Sequence, residues 1–447
     1  MNRPTSEGSN DVRMRGFTRR HTVAAALEWL DAQLQPFDVA QGRTLDAETV
    51  PLNRAAGRVL ASSVVSDVDI PGFDRATMDG YAVNAASTDG AGSYNRLPLT
   101  VIGDSMPGRP FEGSVRSGEA VRVMTGAPIP RGADAVLPAE FVEVGDPAEA
   151  SVPGHPASTF AHGVTADKEA GLHIQALAAV SPGKNVGRTG EDITGGTTIL
   201  ERGRVLRPQD IGVLSSVGHG QVSVLRRPRV RLVVTGNELL PAGSRPHGVH
   251  IADANGPMLA ALVERDGGVV DFPGLVRDDR QAILDGLTAD ADIVIVSGGS
   301  SVGVEDLAPT LVAEHGELAV HGIAMRPSSP TGLGTVGRRL VFLLPGNPVS
   351  SLCAYDFFAA RAVRVLGGRG KAWPYRKLRA PLSRKISSPI GRLDYARVRL
   401  VEGRVDPIAV GGASVLSSTT RADGFVIIGD DSEGFAEGTE VDVWLYA

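Results

Sequence analysis

The strongest constraint on the fold is a regular alternation of strand-like and helix-like runs between residues 228 and 368. The runs are, in order, "RVRLVVTG", "GPMLAALVERDG", "VVDFPG", "DDRQAILDGLTA", "DIVIVSGG", "DLAPTLVAEHG", "RLVFLLPG" and "VSSLCAYDFFAARAVRVLGG". Strands that alternate with helices of this length form βαβ units around a parallel sheet. The segment therefore predicts an α/β domain, at residues 227–370, built on a doubly wound parallel sheet.

Short β-like runs broken by glycine, proline and aspartate lie on both sides of this domain. They predict a β-rich module at residues 64–178 and a small C-terminal β-domain at residues 371–447. Within the module, the stretch near 145–175 is rich in alanine, proline, glycine and serine without periodicity, and it predicts a surface insertion. The chain is thus expected to be multidomain, α/β plus β.

The N-terminal segments follow a different pattern. Residues 1–20 are polar and aperiodic, which predicts a flexible tail. The next segment predicts a helix because its apolar residues recur at helical spacing. These residues are Val23, Leu27, Leu30 and Leu34.

The composition limits the functional classes. Hydrophobic residues make up 42% of the 447 and charged residues 21%, which is ordinary for a folded protein. The formal net charge of −6 argues against binding nucleic acid through a basic surface, although a local cleft for a small anion is compatible with it. Cys353 is the only cysteine, and no uncharged apolar run is long enough to span a membrane. We therefore expect a cytoplasmic protein.

Ligands of an open parallel sheet bind outside the carboxyl ends of its strands, and three such ends carry glycine-containing loops. The loops are "VTGNE", "VSGGSSVG" and "LLPGNPVS". In the second loop, Gly298, Gly299 and Gly303 let backbone N–H groups approach a phosphate oxygen, while Ser300 and Ser301 add hydroxyl donors. The three loops predict one crevice for a small anionic ligand.

The third loop and two carboxylates extend this prediction. Asn347 suits a helix N-cap and Pro348 the first helical position, which turns the positive helix end toward the crevice. A helix start without a ligand is the alternative. Asp253 in "IADANG" and Asp306 in "SVGVEDL" suit Mg²⁺, which takes oxygen ligands. Asp306 equally suits a first helical turn as a favourable charge.

Two further groups of polar residues can be interpreted as functional or as purely structural. Asp79 in "TMDGYAV" and Glu191 in "GRTGEDITGG" lie in glycine-bounded turns, where an Asx-turn is the usual reason for an acidic residue. His247, His250 and Asp253 have a spacing that would suit a transition metal, but their loop holds no further cysteine or histidine. We do not expect a zinc site.

Six motifs in series resemble the molybdopterin molybdenumtransferase family, also called the MoeA or gephyrin E-domain family. They are "PGFDRATMDGYAV", "VRVMTGAPIPRGADAVLPAE", "RTGEDITGG", "LRPQDIGVLSSVG", "SGGSSVG" and "LPGNPVSS". The resemblance runs from about His21 to the C-terminus. It implies an elongated four-part subunit, with a helical and extended linker and dimerisation domain at 21–63 and 179–226, and a barrel-like C-terminal β-domain.

The resemblance also implies a function. Members take adenylylated molybdopterin and molybdate as substrates, insert the molybdenum and release AMP with the help of Mg²⁺. The resemblance implies a homodimer in which the α/β domain of one subunit faces the "MDGYA" and "MTGA" module of the other. A molybdopterin adenylyltransferase and molybdoenzymes are the protein partners expected on the same ground, with no nucleic acid and no membrane.

By resemblance, the site residues fall on two sides of the cleft. The nucleotide and Mg²⁺ side comprises Asp253, Asn255, Gly298, Gly299, Ser300, Ser301, Gly303, Asp306, Pro345, Gly346, Asn347, Pro348 and Ser350. The opposite side, for pterin, metal or oxyanion handling, comprises Asp79, Thr125, Asp134 and Glu191. Asp253 and Asp306 are the expected Mg²⁺ ligands. Both are also expected to be catalytic, together with Asp79 and Glu191.

The chain departs from the family at the anion subsite. It reads "MRPSSPTGLG" where the family usually has Pro-Gly-Lys-Pro, so Ser328 and Ser329 replace a glycine and a lysine. Serine cannot replace the compact charge of lysine, and we expect Arg326 to reach the same anion by its longer fork. Arg75 is a second cation for this role. The remaining departures are Ala76, Asn237 and Ala254.

Two classes of function stay open at this point. The retained acidic residues favour an insertase. The lost lysine favours a non-catalytic carrier or scaffold that binds molybdopterin. An insertase variant for another oxyanion, such as tungstate, is a third reading.

Overall fold

The computed structural model describes residues 20–35, 45–145, 172–299 and 307–446. The predicted tail at 1–20 and the predicted insertion at 145–175 lie almost entirely outside the described residues. The chain forms two compact units. The first comprises Met1–Ser62, Arg202–Arg207 and Gln221–Ala447, and the second Ser63–Glu201 and Pro208–Gly220.

A seven-stranded sheet forms the centre of the first unit in its described part. The hydrogen-bonded order is Val269–Asp271, Arg229–Thr235, Ile293–Ser297, Arg339–Leu344, Gly332–Val336 and Glu317–His321, with Leu275–Val276 also paired to Arg229–Thr235. The first four strands of this path are parallel, as predicted. The last two are antiparallel, which the sequence analysis did not predict. Gly337, at φ +59, turns the chain tightly from Gly332–Val336 into Arg339–Leu344.

Alternate residues of the central strands pack into two different cores, as a strand's period of two requires. Ile293 and Ile295 belong to one core, whereas Val294 and Val296 belong to the other. The helix Asn255–Arg265 and the helical residues 348–366 cover the first face, and Arg280–Leu287 and Leu307–His315 cover the second. The prediction of a doubly wound sheet is therefore confirmed.

The predicted N-terminal helix is confirmed at Val23–Leu34. Thr22 caps it by accepting a hydrogen bond from the Ala25 N–H at 3.1 Å. Its buried residues belong to the core of the α/β domain, and Asp31 accepts two bonds from Arg361, at 2.7 and 2.6 Å. In the same unit, strands Ala47–Pro51 and Gln221–Leu225 form an antiparallel pair.

The C-terminal β-domain is confirmed and belongs to the first unit. Its described strands, in sheet order, are Met325–Arg326, Leu393–Val401, Gly424–Ile428, Glu440–Leu445 and Arg376–Pro381, with Arg404–Ala409 paired to Leu393–Val401. Ile386–Ser387 pairs with Gly434–Phe435, and Ser417–Thr420 is a short helix. Met325–Arg326 comes from the α/β segment, so the two domains share a sheet at Asp394.

The second unit contains the β-rich segment predicted at 64–178, together with residues 179–201 and 208–220. A sheet of described strands runs in the order Ala135–Pro138, Gly80–Val83, Glu119–Val123, Leu97–Ser105, Leu172–Ala176 and Val142–Gly145. Val64–Val65 pairs with Thr198–Leu200, and Arg75–Ala76 with Val186–Gly187. The remaining elements are the short helical turns Ala85–Thr88 and Ala139–Phe141 and the helix Pro208–Ser216.

Candidate functional site

Three loops meet at the carboxyl ends of the parallel strands. Gly298 follows the strand Ile293–Ser297 at φ +98, and a Cβ atom there would lie 2.1 Å from the Thr235 carbonyl oxygen. A Cβ atom on Gly346 would lie 3.6 Å from the Gly298 Cα. At Gly298 only glycine allows this approach to Thr235, and Gly346 lies in ordinary contact with Gly298, so the loops "VTGNE", "VSGG" and "LLPGNP" meet at one crevice.

The Asn255 side chain ties the crevice together. Its Nδ2 donates to the Ser297 Oγ at 2.9 Å and to the Gly346 carbonyl oxygen at 2.7 Å. Asn255 is only 7% exposed and its Oδ1 is buried. This oxygen has no hydrogen-bond partner among the described residues. A buried acceptor without a donor is unusual and costly. A ligand that brings a donor to this oxygen would satisfy it.

Asp253 is buried at the start of the same helix. One carboxylate oxygen accepts a bond from the Gly256 N–H at 2.9 Å, which caps the first turn. A Cβ atom at Gly256 would lie 2.3 Å from the other oxygen, so a larger residue there would displace this carboxylate. The geometry shows a structural use for Asp253, while its predicted role toward Mg²⁺ remains a prediction. Its predicted partner Asp306 lies outside the described residues, as do Ser300, Ser301 and Gly303.

The loop at Pro345 leads into the helical residues 348–366. Asn347 is extended and precedes Pro348, as expected for an N-cap, but its side chain makes no capping bond. Ser350 is buried, and its carbonyl oxygen accepts from the Ser328 hydroxyl. Ser328 has φ +94, a region that favours glycine, which matches the glycine usual at this position in the family motif.

Arg326 is engaged by a buried carboxylate. Its Nη2 donates to Asp394 Oδ2, which also accepts from the Ser388 hydroxyl at 2.8 Å. Arg392 Nε lies 3.2 Å from Asp394 Oδ1. This pairing favours a structural role for Arg326 over the anion contact predicted for it. The hydroxyl of Ser329 is buried and has no partner among the described residues.

Sequence reasoning missed Arg397. This side chain is fully buried, and its Nε and Nη1 have no partner among the described residues, while Nη2 donates to the Gly411 carbonyl oxygen. The alternation of "YARVRL" was the available clue, because it places residues 395 and 397 on one face of a strand. A buried cation with unsatisfied donors suits an anion.

The second unit contains two aspartate–threonine pairs with the same hydrogen-bond pattern. Asp79 Oδ1 accepts from the Thr125 N–H at 2.7 Å and from its hydroxyl at 2.8 Å. Asp74 Oδ1 accepts from the Thr189 N–H at 2.9 Å and hydroxyl at 3.0 Å, and Arg188 pairs with the other oxygen at 2.7 Å. The backbone bond from the threonine is the main cause that lowers the pKa of each carboxyl group.

The remaining predicted residues of this unit lie apart from one another. Glu191 accepts from the Arg188 N–H at 2.9 Å and lies 3.6 Å from the Arg75 guanidinium. Asp134 accepts from the Ala85 N–H at 2.7 Å, beyond the far end of the strand that Asp79 precedes. The structure therefore brings Asp79 and Thr125 together but does not bring Asp134 to them.

We expect Thr125→Val to raise the pKa of Asp79 toward its usual value, because the hydroxyl donor to the ionised carboxylate is lost. The Asp79 carboxylate would then begin to protonate at a higher pH as the solution is acidified. Carboxyl NMR shifts across a titration measure this. Thr189→Val is the matched control and should move Asp74 only. An unchanged Asp79 titration in Thr125→Val would contradict the assignment.

His247 and His250 lie at the two ends of a tight turn. The His247 and His250 rings lie 5.4 Å apart between centroids. Within the described ranges, no three His, Cys, Asp or Glu side chains are grouped to hold a metal ion. Asp253, the third residue of the spacing, instead caps its own helix.

Three family models match nearly the whole chain. "MoeA N-terminal region (domain I and II)" matches residues 21–218, "Probable molybdopterin binding domain" residues 231–364, and "MoeA C-terminal region (domain IV)" residues 379–446. No helix in the described part of the chain is long and apolar enough to cross a membrane.

Curated relatives and solved structures agree with these matches. Molybdopterin molybdenumtransferase 2 from Mycobacterium tuberculosis is 34% identical, over 86% of this chain and 92% of its own. A molybdopterin molybdenumtransferase from Staphylococcus aureus is 31% identical, over 91% and 93%. A molybdopterin biosynthesis MoeA protein from Pyrococcus horikosii superposes with a TM-score of 0.76 at 32% identity, covering 96% of this chain and all of that one. The chain belongs to the molybdopterin molybdenumtransferase family, whose members are enzymes of molybdenum cofactor biosynthesis.

Proposed function

We propose that this protein inserts molybdenum from molybdate into adenylylated molybdopterin, with Mg²⁺-dependent release of AMP, in the cytoplasm. The observation that carries the proposal is the crevice at the sheet edge. There the Asn255 amide joins two glycine loops and keeps a buried Oδ1 to which no described residue donates. A nucleotide substrate supplies both the donors for such an oxygen and the phosphates for glycine-rich backbone.

The crevice residues suit Mg²⁺. Asp253 lies buried at the crevice, and carboxylate oxygens are the ligands that Mg²⁺ prefers. We assign Asp253 and Asp306 as the residues that would hold the ion. Bound there, Mg²⁺ would neutralise phosphate charge and polarise the phosphoanhydride. The chain's own part is to orient the nucleotide through Asn255 and the backbone of Gly298, Gly299 and Gly346.

The proposed homodimer would bring the Asp79 side of the cleft to the crevice of a second subunit. Three large apolar side chains near Asp79 and Thr125 are exposed: Phe73 at 46%, Met78 at 39% and Met124 at 51%. Neighbouring exposed apolar residues of this size are typical of surfaces that bind a partner. A second copy of the chain would cover them and complete the site.

Arg397 is the cation that we assign to the oxyanion. Arg326 is paired with Asp394, whereas Arg397 keeps two unpartnered donors among the described residues. The alternative function, a molybdopterin-binding carrier or scaffold, rests on Ser329, which stands where the family usually has lysine. An insertase variant that takes tungstate is distinguished only by its anion preference.

The deciding experiment measures AMP release and cofactor formation from adenylylated molybdopterin with Mg²⁺ and molybdate. We expect turnover in the wild type, and a loss of at least about 100-fold in Asp306→Ala, since one metal ligand would be gone. Asp290→Ala is the control, because the Asp290 side chain is 85% exposed and pairs with Arg229 at 2.9 Å.

The outcomes separate the candidate functions. Turnover that survives in Asp290→Ala and is lost in Asp306→Ala supports the insertase. Tight pterin binding without turnover in the wild type would make the protein a carrier. A higher rate with tungstate than with molybdate would identify the oxyanion variant.

A further inference from the structure

A fully buried carboxylate lies midway along the helical residues 348–366, outside the crevice. Asp356 is part of a π-helical turn, Tyr355–Ala359, which interrupts the α-helix. Its side chain accepts from the Tyr375 hydroxyl, 2.9 Å from each oxygen, and from Arg265 at 3.1 Å. The Trp373 indole donates to its carbonyl oxygen at 2.8 Å. Single π turns are rare and occur often at functional sites.

The partners of Asp356 come from separate parts of the first unit. Arg265 ends the helix that Asn255 begins, whereas Trp373 and Tyr375 belong to the segment that leads into the C-terminal β-domain. Asp266 extends the network, since it accepts from Arg265 at 2.8 Å, from Tyr355 at 3.0 Å and from Arg364 at 2.9 Å. One buried network therefore joins the helix Asn255–Arg265, the helical residues 348–366 and the segment that leads into the C-terminal β-domain.

Both of these helices begin at the crevice. Asn255 at the start of one helix donates to Gly346, two residues before the start of the other at Pro348. The network of Asp356 holds the same two helices at a distance from that contact. The two helices are therefore fixed to one another at two places, at the crevice by Asn255 and farther along by the network of Asp356.

Asp356 is a fully buried carboxyl group whose charge is opposed by burial and favoured by Arg265. Burial raises its pKa to about 6, against the opposing attraction of Arg265. The other ionisable groups that interact with it are Arg265, Asp266, Cys353, Tyr355, Tyr375, Tyr395 and Tyr446. Burial raises the pKa of the thiol and of each of these hydroxyl groups, so they stay neutral.

Ionisation of Asp356 lowers the free energy of unfolding. A carboxyl group whose pKa is higher in the folded than in the unfolded state binds its proton more tightly when folded. Its contribution to stability is fully present below the unfolded value of about 4 and is lost as the pH rises through about 6. A neutral side chain of the same shape would therefore fold better at neutral pH. A charge that the fold does not need suggests a use in function.

We propose that ionised Asp356 is a positioning residue, which holds the two crevice helices in the register that binds the pterin nucleotide. The proposal rests on the proposed function for the identity of that ligand. Hydrogen bonds from Arg265 and Tyr375 to an ionised carboxylate are stronger than bonds to a neutral acid. Protonation of Asp356 weakens these hydrogen bonds between the helices and lowers the affinity of the crevice for the pterin nucleotide.

The test compares the full-length wild type with Asp356→Asn and with Asp271→Asn as a matched control. Asp271 also pairs with an arginine, Arg231 at 2.7 Å, but its side chain is 50% exposed. The affinity for adenylylated molybdopterin is measured by calorimetry between pH 5 and 8. Tryptophan fluorescence is titrated in parallel without ligand, since the Trp373 indole donates to the backbone carbonyl oxygen of Asp356.

We expect the wild-type affinity to fall about tenfold from pH 8 to pH 5, with a fluorescence transition near pH 6. Asp356→Asn should bind weakly at every pH, show no such transition and melt at a higher temperature at pH 8. The control should behave as the wild type. Wild-type affinity and pH dependence in Asp356→Asn would overturn the proposal.

A second variant keeps the test valid if Asp356→Asn does not fold. Tyr375→Phe removes one donor to the ionised carboxylate and keeps the ring, so the fluorescence transition and the loss of affinity should move to higher pH. An unmoved midpoint would contradict the proposal. If the wild type binds and titrates as expected but never inserts molybdenum, the proposed function fails while the positioning role of Asp356 stands.

Discussion

Gly298→Ala should lower the free energy of unfolding of the first unit by about 3 kcal/mol and abolish ligand binding at the crevice. An added Cβ atom would lie 2.1 Å from the Thr235 carbonyl oxygen, which is backbone and cannot swing away. The residue also has φ +98, where a side chain costs about 1 to 3 kcal/mol by itself. The loop must therefore move off the neighbouring strand, and the three loops no longer meet.

Gly274→Ala is the control for the backbone conformation alone. Gly274 has φ +112, but nothing lies within 4 Å of the position of its Cβ. We expect a loss of about 1 to 2 kcal/mol in chemical denaturation and unchanged binding. Equal losses in the two variants would mean that close backbone approach does not define the crevice.

The α/β domain was largely predictable because its periodicity is local. Each strand-like run is short, apolar and followed by a helical run, so the parallel strands and the helices on both faces follow from pattern alone. The antiparallel edge formed by Glu317–His321 and Gly332–Val336 was not predicted. Both runs are short, and the antiparallel direction of Gly332–Val336 depends on a tight turn at Gly337 into Arg339–Leu344.

The glycine loops of the crevice were also predictable in kind. A glycine after a parallel strand allows close approach, and the sequence shows three of them. Their contacts were not predictable, because Asn255 reaches Ser297 and Gly346, which are 42 and 91 residues away along the chain. No local pattern reports which of its polar atoms will lack a partner.

The anion subsite shows the limit of reasoning by residue type. The sequence offered Arg326 as a cation near the lost lysine, but it does not show that Asp394 lies beside Arg326 in a shared sheet. Arg397 was missed altogether, because the strand alternation around it does not show that Tyr395, Phe425 and residues 411–412 enclose that face of the sheet. Long-range pairing decides which arginine is free to meet an anion.

Asp394→Ala should destabilise the first unit by about 3 to 5 kcal/mol. The Asp394 side chain is fully buried, and it compensates Arg326 and Arg392 while accepting from Ser388. Its removal leaves two partly buried cations without their counter-charge and takes the acceptor from the Ser388 hydroxyl, which is the costly way to break such a pair. Chemical denaturation at pH 7 measures the loss.

Asp442→Ala is the matched control, since Asp442 pairs with Lys377 at 2.6 Å in the same domain with both side chains about half exposed. Solvent screens such a pair, so we expect a change below about 1 kcal/mol. The double variant Arg326→Met with Asp394→Ala should recover part of the loss, because the uncompensated charge goes with its partner. If it recovers nothing and Arg326→Met alone abolishes oxyanion binding, Arg326 contacts the anion after all, as its position in the sequence first suggested.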